Sequence, residues 1–124
     1  MRKFTANDIS LADCVRDTQN TVLLIFGFTN PDVTDIDQYY DEYGETDWSA
    51  VLEVVYDYKA HKIVESQVVY VDPDNVSDDE APITLDSSEL AAVNSAFGAT
   101  YGYSLDNLIG MDMGEPLFVG EYLQ

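Results

Sequence analysis

Residues 34 to 48 read TDIDQYYDEYGETDW, in which Asp35, Asp37, Asp41, Glu42, Glu45 and Asp47 alternate with Tyr39, Tyr40, Tyr43 and Trp48 without one Lys or Arg. Carboxylates at such spacing have three chemical uses. A pair can serve as general acid and base, a set can hold a hard cation, and a larger array can present fixed negative charge to a basic surface. A second stretch, DPDNVSDDEAPITLD at 72 to 86, offers Asp74, Asp78, Asp79 and Glu80 for the same uses.

The first two uses fit poorly. The run DPDNVSD begins like a calcium loop, but it lacks an oxygen side chain at the fifth position, Gly at the sixth and Glu at the twelfth. Asp35 and Asp37 fail the same test, because Tyr39 and Tyr40 stand at the next ligand positions. The single Cys14 permits neither an intramolecular disulfide nor a Cys-based zinc site, and it reads as a small core residue. His61 has no second His to share a metal and is expected at a solvated turn. There is no glycine-rich phosphate loop and no nucleophile motif, so no enzyme activity, metal or cofactor is expected. Carboxylate catalysis of the glycosidase or metal-hydrolase kind is the weakest reading.

These residues need elements to position them. Thr5 with Asp8 forms a capping-box-like start, and Ile9, Ala12, Cys14 and Val15 fall roughly on one helical face, predicting a short helix over 5–17. TVLLIFGFT at 21–29 reads as a central strand buried on both faces. The runs 49–58 and 62–72 predict a hairpin turning near Ala60 and His61, and 72–86 reads as a loop. Asp86 and Glu89 cap a helix over 87–101 with the apolar stripe Leu90, Val93, Phe97 and Tyr101, which Gly102 can end. A short turn over 104–110 and a last strand over 116–123 complete the chain. The expected fold is α+β in one acidic domain over 1–124: an antiparallel sheet of about four strands, one main helix packed on it, and short additional helices. If 35–43 is helical, Ile36, Tyr39, Tyr40 and Tyr43 share one side while Asp37, Asp41 and Glu42 face water. Gly44 then leaves Glu45 and Asp47 on a turn.

Charge dominates the composition. The net charge is −19, and the bases are confined to Arg2, Lys3, Arg16, Lys59 and Lys62. Such a field repels nucleic acid and anionic membrane and attracts basic surfaces. The N-terminus has no apolar run behind Arg2 and Lys3, and VLLIF at 22–26 is too short to span a bilayer. A cytoplasmic location is expected. NVS at 75–77 reads as a chance sequon.

A globular chain of this length is about 35 Å across, and duplex DNA over that span carries about 20 phosphates, close to the protein's own charge. In size and charge the chain resembles the phage and mobile-element antirestriction and anti-CRISPR proteins, a resemblance carried by no motif. It implies a small acidic inhibitor that mimics nucleic-acid phosphates and blocks the basic groove of a CRISPR effector, restriction enzyme or other nuclease. Asp35, Asp37, Asp41, Glu42, Glu45, Asp47, Asp74, Asp78, Asp79 and Glu80 would be the contacts. The alternative is a salt-adapted or generally acidic cytoplasmic domain, favoured by the scarcity of Lys and the excess of Asp over Glu.

Overall fold

A computed structural model describes residues 2–36, 49–71 and 79–119. The fold is α+β, with a five-stranded antiparallel sheet in the order β1-β2-β3-β4-β5, a separate two-stranded sheet and one main helix. The strands of the large sheet are β1 (Ile9–Arg16), β2 (Thr21–Phe28), β3 (Ser49–Asp57), β4 (Lys62–Val71) and β5 (Asp79–Pro82). Helix α1 spans Ser87–Tyr101, and β6 (Leu108–Asp112) pairs with β7 (Glu115–Phe118).

Alternation builds the core. Val22, Leu24 and Phe26 on β2 are fully buried, as are Leu52 and Val54 on β3 and Val68 on β4. Their neighbours Leu23, Ile25, Val51 and Val55 are half-buried and point the other way. The buried face packs with Val93 and Phe97 of α1, with Leu105 and Leu108 beyond it, and with Phe118 of β7. Phe118 lies against the rings of Phe97, Tyr101 and Tyr103.

Several sequence expectations need correction. Residues 9–16 form a strand paired with β2, not a helix, and β1 contains a bulge between Leu11 and Asp13. Ile9 and Cys14 are buried, while the bulge residue Ala12 and Val15 are exposed, so the expected helical stripe is split between the two faces of the strand. The Thr5–Asp8 capping box is present, but it caps only a 3-10 turn, Ala6–Asp8. Strand β2 is interior in the sheet, yet only one of its faces enters the core. Residues 79–82, expected in a loop, form edge strand β5, where Pro82 is tolerated. The strand expected from 116 starts at Glu115 and belongs to the second sheet. The turn of that hairpin uses Met113 (φ 52°) and Gly114 (φ 82°), both left-handed as a two-residue type I′ turn requires.

Helix α1 follows its sequence signals closely. Asp86 accepts from the Glu89 amide at 2.9 Å and Glu89 accepts from the Asp86 amide at 3.1 Å, while Gly102 ends the helix at φ 79°. The apolar stripe is rotated from its expected position. Leu90 is 39% exposed, and Glu89, Ala92 and Ala96 are buried with Val93 and Phe97. The hairpin of β3 and β4 turns where expected, its turn tied by Asp57 Oδ1, which accepts from the amides of Lys59 and Ala60 at 2.9 Å. No helix among the described residues is long and apolar enough to cross a membrane. The helix expected over 35–43 lies almost wholly outside the described residues.

Candidate acidic interface

Of the carboxylates singled out in the sequence, Asp35, Asp79 and Glu80 are described, while Asp37, Asp41, Glu42, Glu45, Asp47, Asp74 and Asp78 lie outside the described residues. The described three converge on one corner of the large sheet. The amide of Asp35 donates to the hydroxyl of buried Tyr70 at 3.4 Å, and Tyr70 on β4 stands directly opposite Asp79 on β5. Glu80 is next, opposite Val69 and on the other side of the sheet. Acidic blocks separated by more than 40 residues are therefore joined through a tyrosine of the sheet.

Glu80 belongs to a surface that sequence reasoning missed. Opposite residues of paired strands share a face, so the register aligns three rows across the sheet on the side away from α1. One row is Val15, Leu23, Val55, Glu65; the next is Asp13, Ile25, Glu53, Gln67, Pro82; the third is Ser10, Gly27, Val51, Val69, Glu80. Asp13, Glu53, Glu65 and Glu80 interrupt an otherwise apolar field, and the rows hold no Lys or Arg. Lys62 stands at the hairpin end of this side, opposite Asp57. The signal was present as alternation, since Glu53 and Glu65 occupy the out-facing positions of otherwise apolar strands. Ranking acids by local density hid it.

The face is ordered by its own hydrogen bonds. Gln67 Nε2 donates to Glu53 Oε1 at 2.8 Å across β3 and β4, fixing that carboxylate over the sheet. None of Leu23, Ile25, Val51, Val55 or Val69 belongs to the core cluster that fills the opposite side. Nominal strand spacing places the Asp13 and Glu53 backbones about 10 Å apart and those of Glu53 and Glu65 about 8 Å apart. That is sparser than a phosphate backbone, which carries one charge per ~3.4 Å of each strand.

Several bases have partners away from this face. Lys3 Nζ meets Asp86 Oδ2 at 2.8 Å, Arg2 donates to the Asp32 carbonyl at 2.6 Å, and Arg16 Nη2 donates to the Met111 carbonyl at 2.7 Å. The Lys3 ammonium, helped by the Glu89 amide, holds the Asp86 carboxyl down at about 2.

The residues weighed for catalysis sit in settings that do not activate them. Cys14 is buried on the core side of β1, and burial first, then the Asp13 charge, pushes its thiol up to about 11. His61 is exposed on the β3–β4 turn at φ 57°. It borders a depression of about 340 Å³ shared with Tyr56, Leu90, Asn94 and Asp106. Among the described residues the buried Tyr56 hydroxyl has no hydrogen-bond partner, and burial followed by the Asp106 charge pushes it up to about 12, so it stays a neutral phenol. Among the described residues no group of three or more His, Cys, Asp or Glu could hold a metal ion. No protein-family model, curated protein or solved structure matches the chain.

Proposed function

We propose that this protein is a non-catalytic acidic inhibitor that occupies the basic nucleic-acid groove of a partner enzyme, its carboxylates standing in for phosphates. The supporting observation is the meeting of the two acidic blocks at the β4–β5 corner, where Asp35 and Asp79 lie on the Tyr70 side and Glu80 lies on the opposite face together with Asp13, Glu53 and Glu65. Carboxylates carried on paired strands keep their spacing when a partner approaches, so little ordering entropy is lost on binding. Asp37, Asp41, Glu42, Glu45, Asp47, Asp74 and Asp78 extend the same proposal along the chain. Partners of the matching chemistry are a CRISPR effector, a restriction enzyme or another nuclease in the cytoplasm of a host cell.

Opposite long-range fields accelerate association, and the acceleration fades as the Debye length falls to about 8 Å at 0.15 M salt. The test is stopped-flow association of the protein with such an enzyme, free and preloaded with its nucleic acid. The expected result is a rate that falls steeply with NaCl for the free enzyme and vanishes for the loaded one. Equal rates for both forms would refute groove occupancy.

A further inference from the structure

We infer that the sheet face turned away from α1 is a docking surface for a protein segment that presents a branched aliphatic side chain flanked by Arg or Lys. Three observations carry this. The first is the apolar field of Val15, Leu23, Ile25, Val51 and Val55, exposed or half-buried and outside the core cluster, with buried Val69 at its edge. From β1 to β4 the field spans about 14 Å across the strands and about 14 Å along them, or roughly 200 Å². Asp13 and Glu53 break the field, whose footprint is about a quarter of the ~800 Å² that each partner contributes to a standard interface, so its apolar side chains can anchor a larger contact of mixed character.

The second observation is relief. A depression of about 100 Å³ opens between Leu23, Val55 and Pro82, bordered by Glu53, Glu65 and Gln67. That volume exceeds what one water needs, and its lining mixes apolar and acidic side chains. Further along the same face, Gly27 sits between Ser10 and Val51, where an added Cβ would meet nothing within 4 Å. A glycine inside a strand marks a place where another chain can approach the backbone closely.

The third observation selects the occupant. A second copy would bring Asp13, Glu53, Glu65 and Glu80 against their own equivalents and join two bodies of charge −19, so the charge pattern rejects self-association. A basic partner reverses that sign. Glu53, oriented by Gln67 at 2.8 Å, and Glu65 on the same rim are placed to receive guanidinium or ammonium groups beside the depression. The inference rests on the inhibitor reading for the partner's charge alone. What it adds is the apolar anchor, which a phosphate surrogate does not need.

The test uses a 12-residue peptide of alternating Arg and Leu and its counterpart of alternating Arg and Ser, which has the same charge. Titration followed by amide chemical shifts is expected to move Leu23, Ile25, Glu53, Val55, Glu65 and Gln67 with the Leu peptide. At 0.5 M NaCl, where charge attraction is screened, the Leu peptide should bind at least tenfold more tightly than the Ser peptide. The variant L23T/I25T/V55T keeps strand-forming residues and should lose that tenfold preference while folding normally by circular dichroism. If the triple variant fails to fold, Val55→Thr alone should reduce the preference at least threefold. Equal binding of the two peptides, shifts confined to other surfaces, or a dimer by sedimentation at 100 μM would overturn the inference. Nucleic-acid competition is a separate readout, so a partner bound through Leu23 and Val55 without displacing nucleic acid would sink the inhibitor reading and leave this one standing.

Discussion

Asp86 joins two structural tasks in one side chain, capping α1 and pairing with Lys3 at 2.8 Å. Its carboxyl is held at about 2 against an ordinary value of 3.8, so its contribution to stability is full above the ordinary value and is lost as pH falls toward 2. The expected outcome is that the thermal midpoint of the wild type falls more between pH 5 and pH 2 than that of Asp86→Asn, which retains a capping oxygen but has no charge to lose. Parallel pH curves would show that the Lys3 pair is inert. The thiol of Cys14 gives a second prediction at this scale. With its pKa raised to about 11, roughly one thiolate in a thousand exists at pH 8, and the sulfur is buried. Labelling by a thiol reagent should therefore follow the unfolding rate. Modification at the rate of a free thiol would contradict the burial.

Strand β2 offers a direct check on the two-faced sheet because it carries adjacent leucines with opposite surroundings. Leu24 is fully buried in the core, and Leu23 is half-buried on the far face. Leu24→Ala should cost about 2–5 kcal/mol and Leu23→Ala about 1 kcal/mol or less in urea unfolding. Similar losses would mean that the far face is packed. The same alternation explains how much of the fold the sequence disclosed. Strand β2, the 58–61 turn and the capped helix α1 were legible because each is specified by neighbours a few residues away, and the β3–β4 hairpin was legible despite its own register shift at Val55/Tyr56 because long β-branched runs flank it. Strand β1 was not, since the bulge at Leu11/Asp13 breaks its period. The β6–β7 turn was also hidden, because Met113 holds a left-handed position usually given to Asn, Asp or Gly. The sheet-face carboxylates were concealed by register: Asp13, Glu53, Glu65 and Glu80 become neighbours only through pairing between distant strands.

At the scale of the molecule, the acidic composition was visible at once, while its arrangement depended on topology. Self-repulsion of 19 net charges should make the protein gain stability as salt rises from low ionic strength to about 0.15 M, where the Debye length is about 8 Å, and change little beyond. Unfolding followed against KCl checks this, and a continued rise into molar KCl would favour the salt-adapted alternative. The central claim is competition for a basic groove, and the most direct measurement is displacement of a fluorescent DNA duplex from a CRISPR effector and from a restriction enzyme. Wild type and the variant E53K/E65K/E80K are compared at 0.15 M salt, with folding verified by circular dichroism. Single exposed ion pairs contribute about 0.2–1 kcal/mol each, so reversing three together is expected to weaken displacement about tenfold or more. The account predicts that the wild type releases the duplex in a concentration-dependent way and that the triple variant needs at least ten times more protein. Failure of the wild type to release the duplex from either enzyme, or equal release by both proteins, would contradict it.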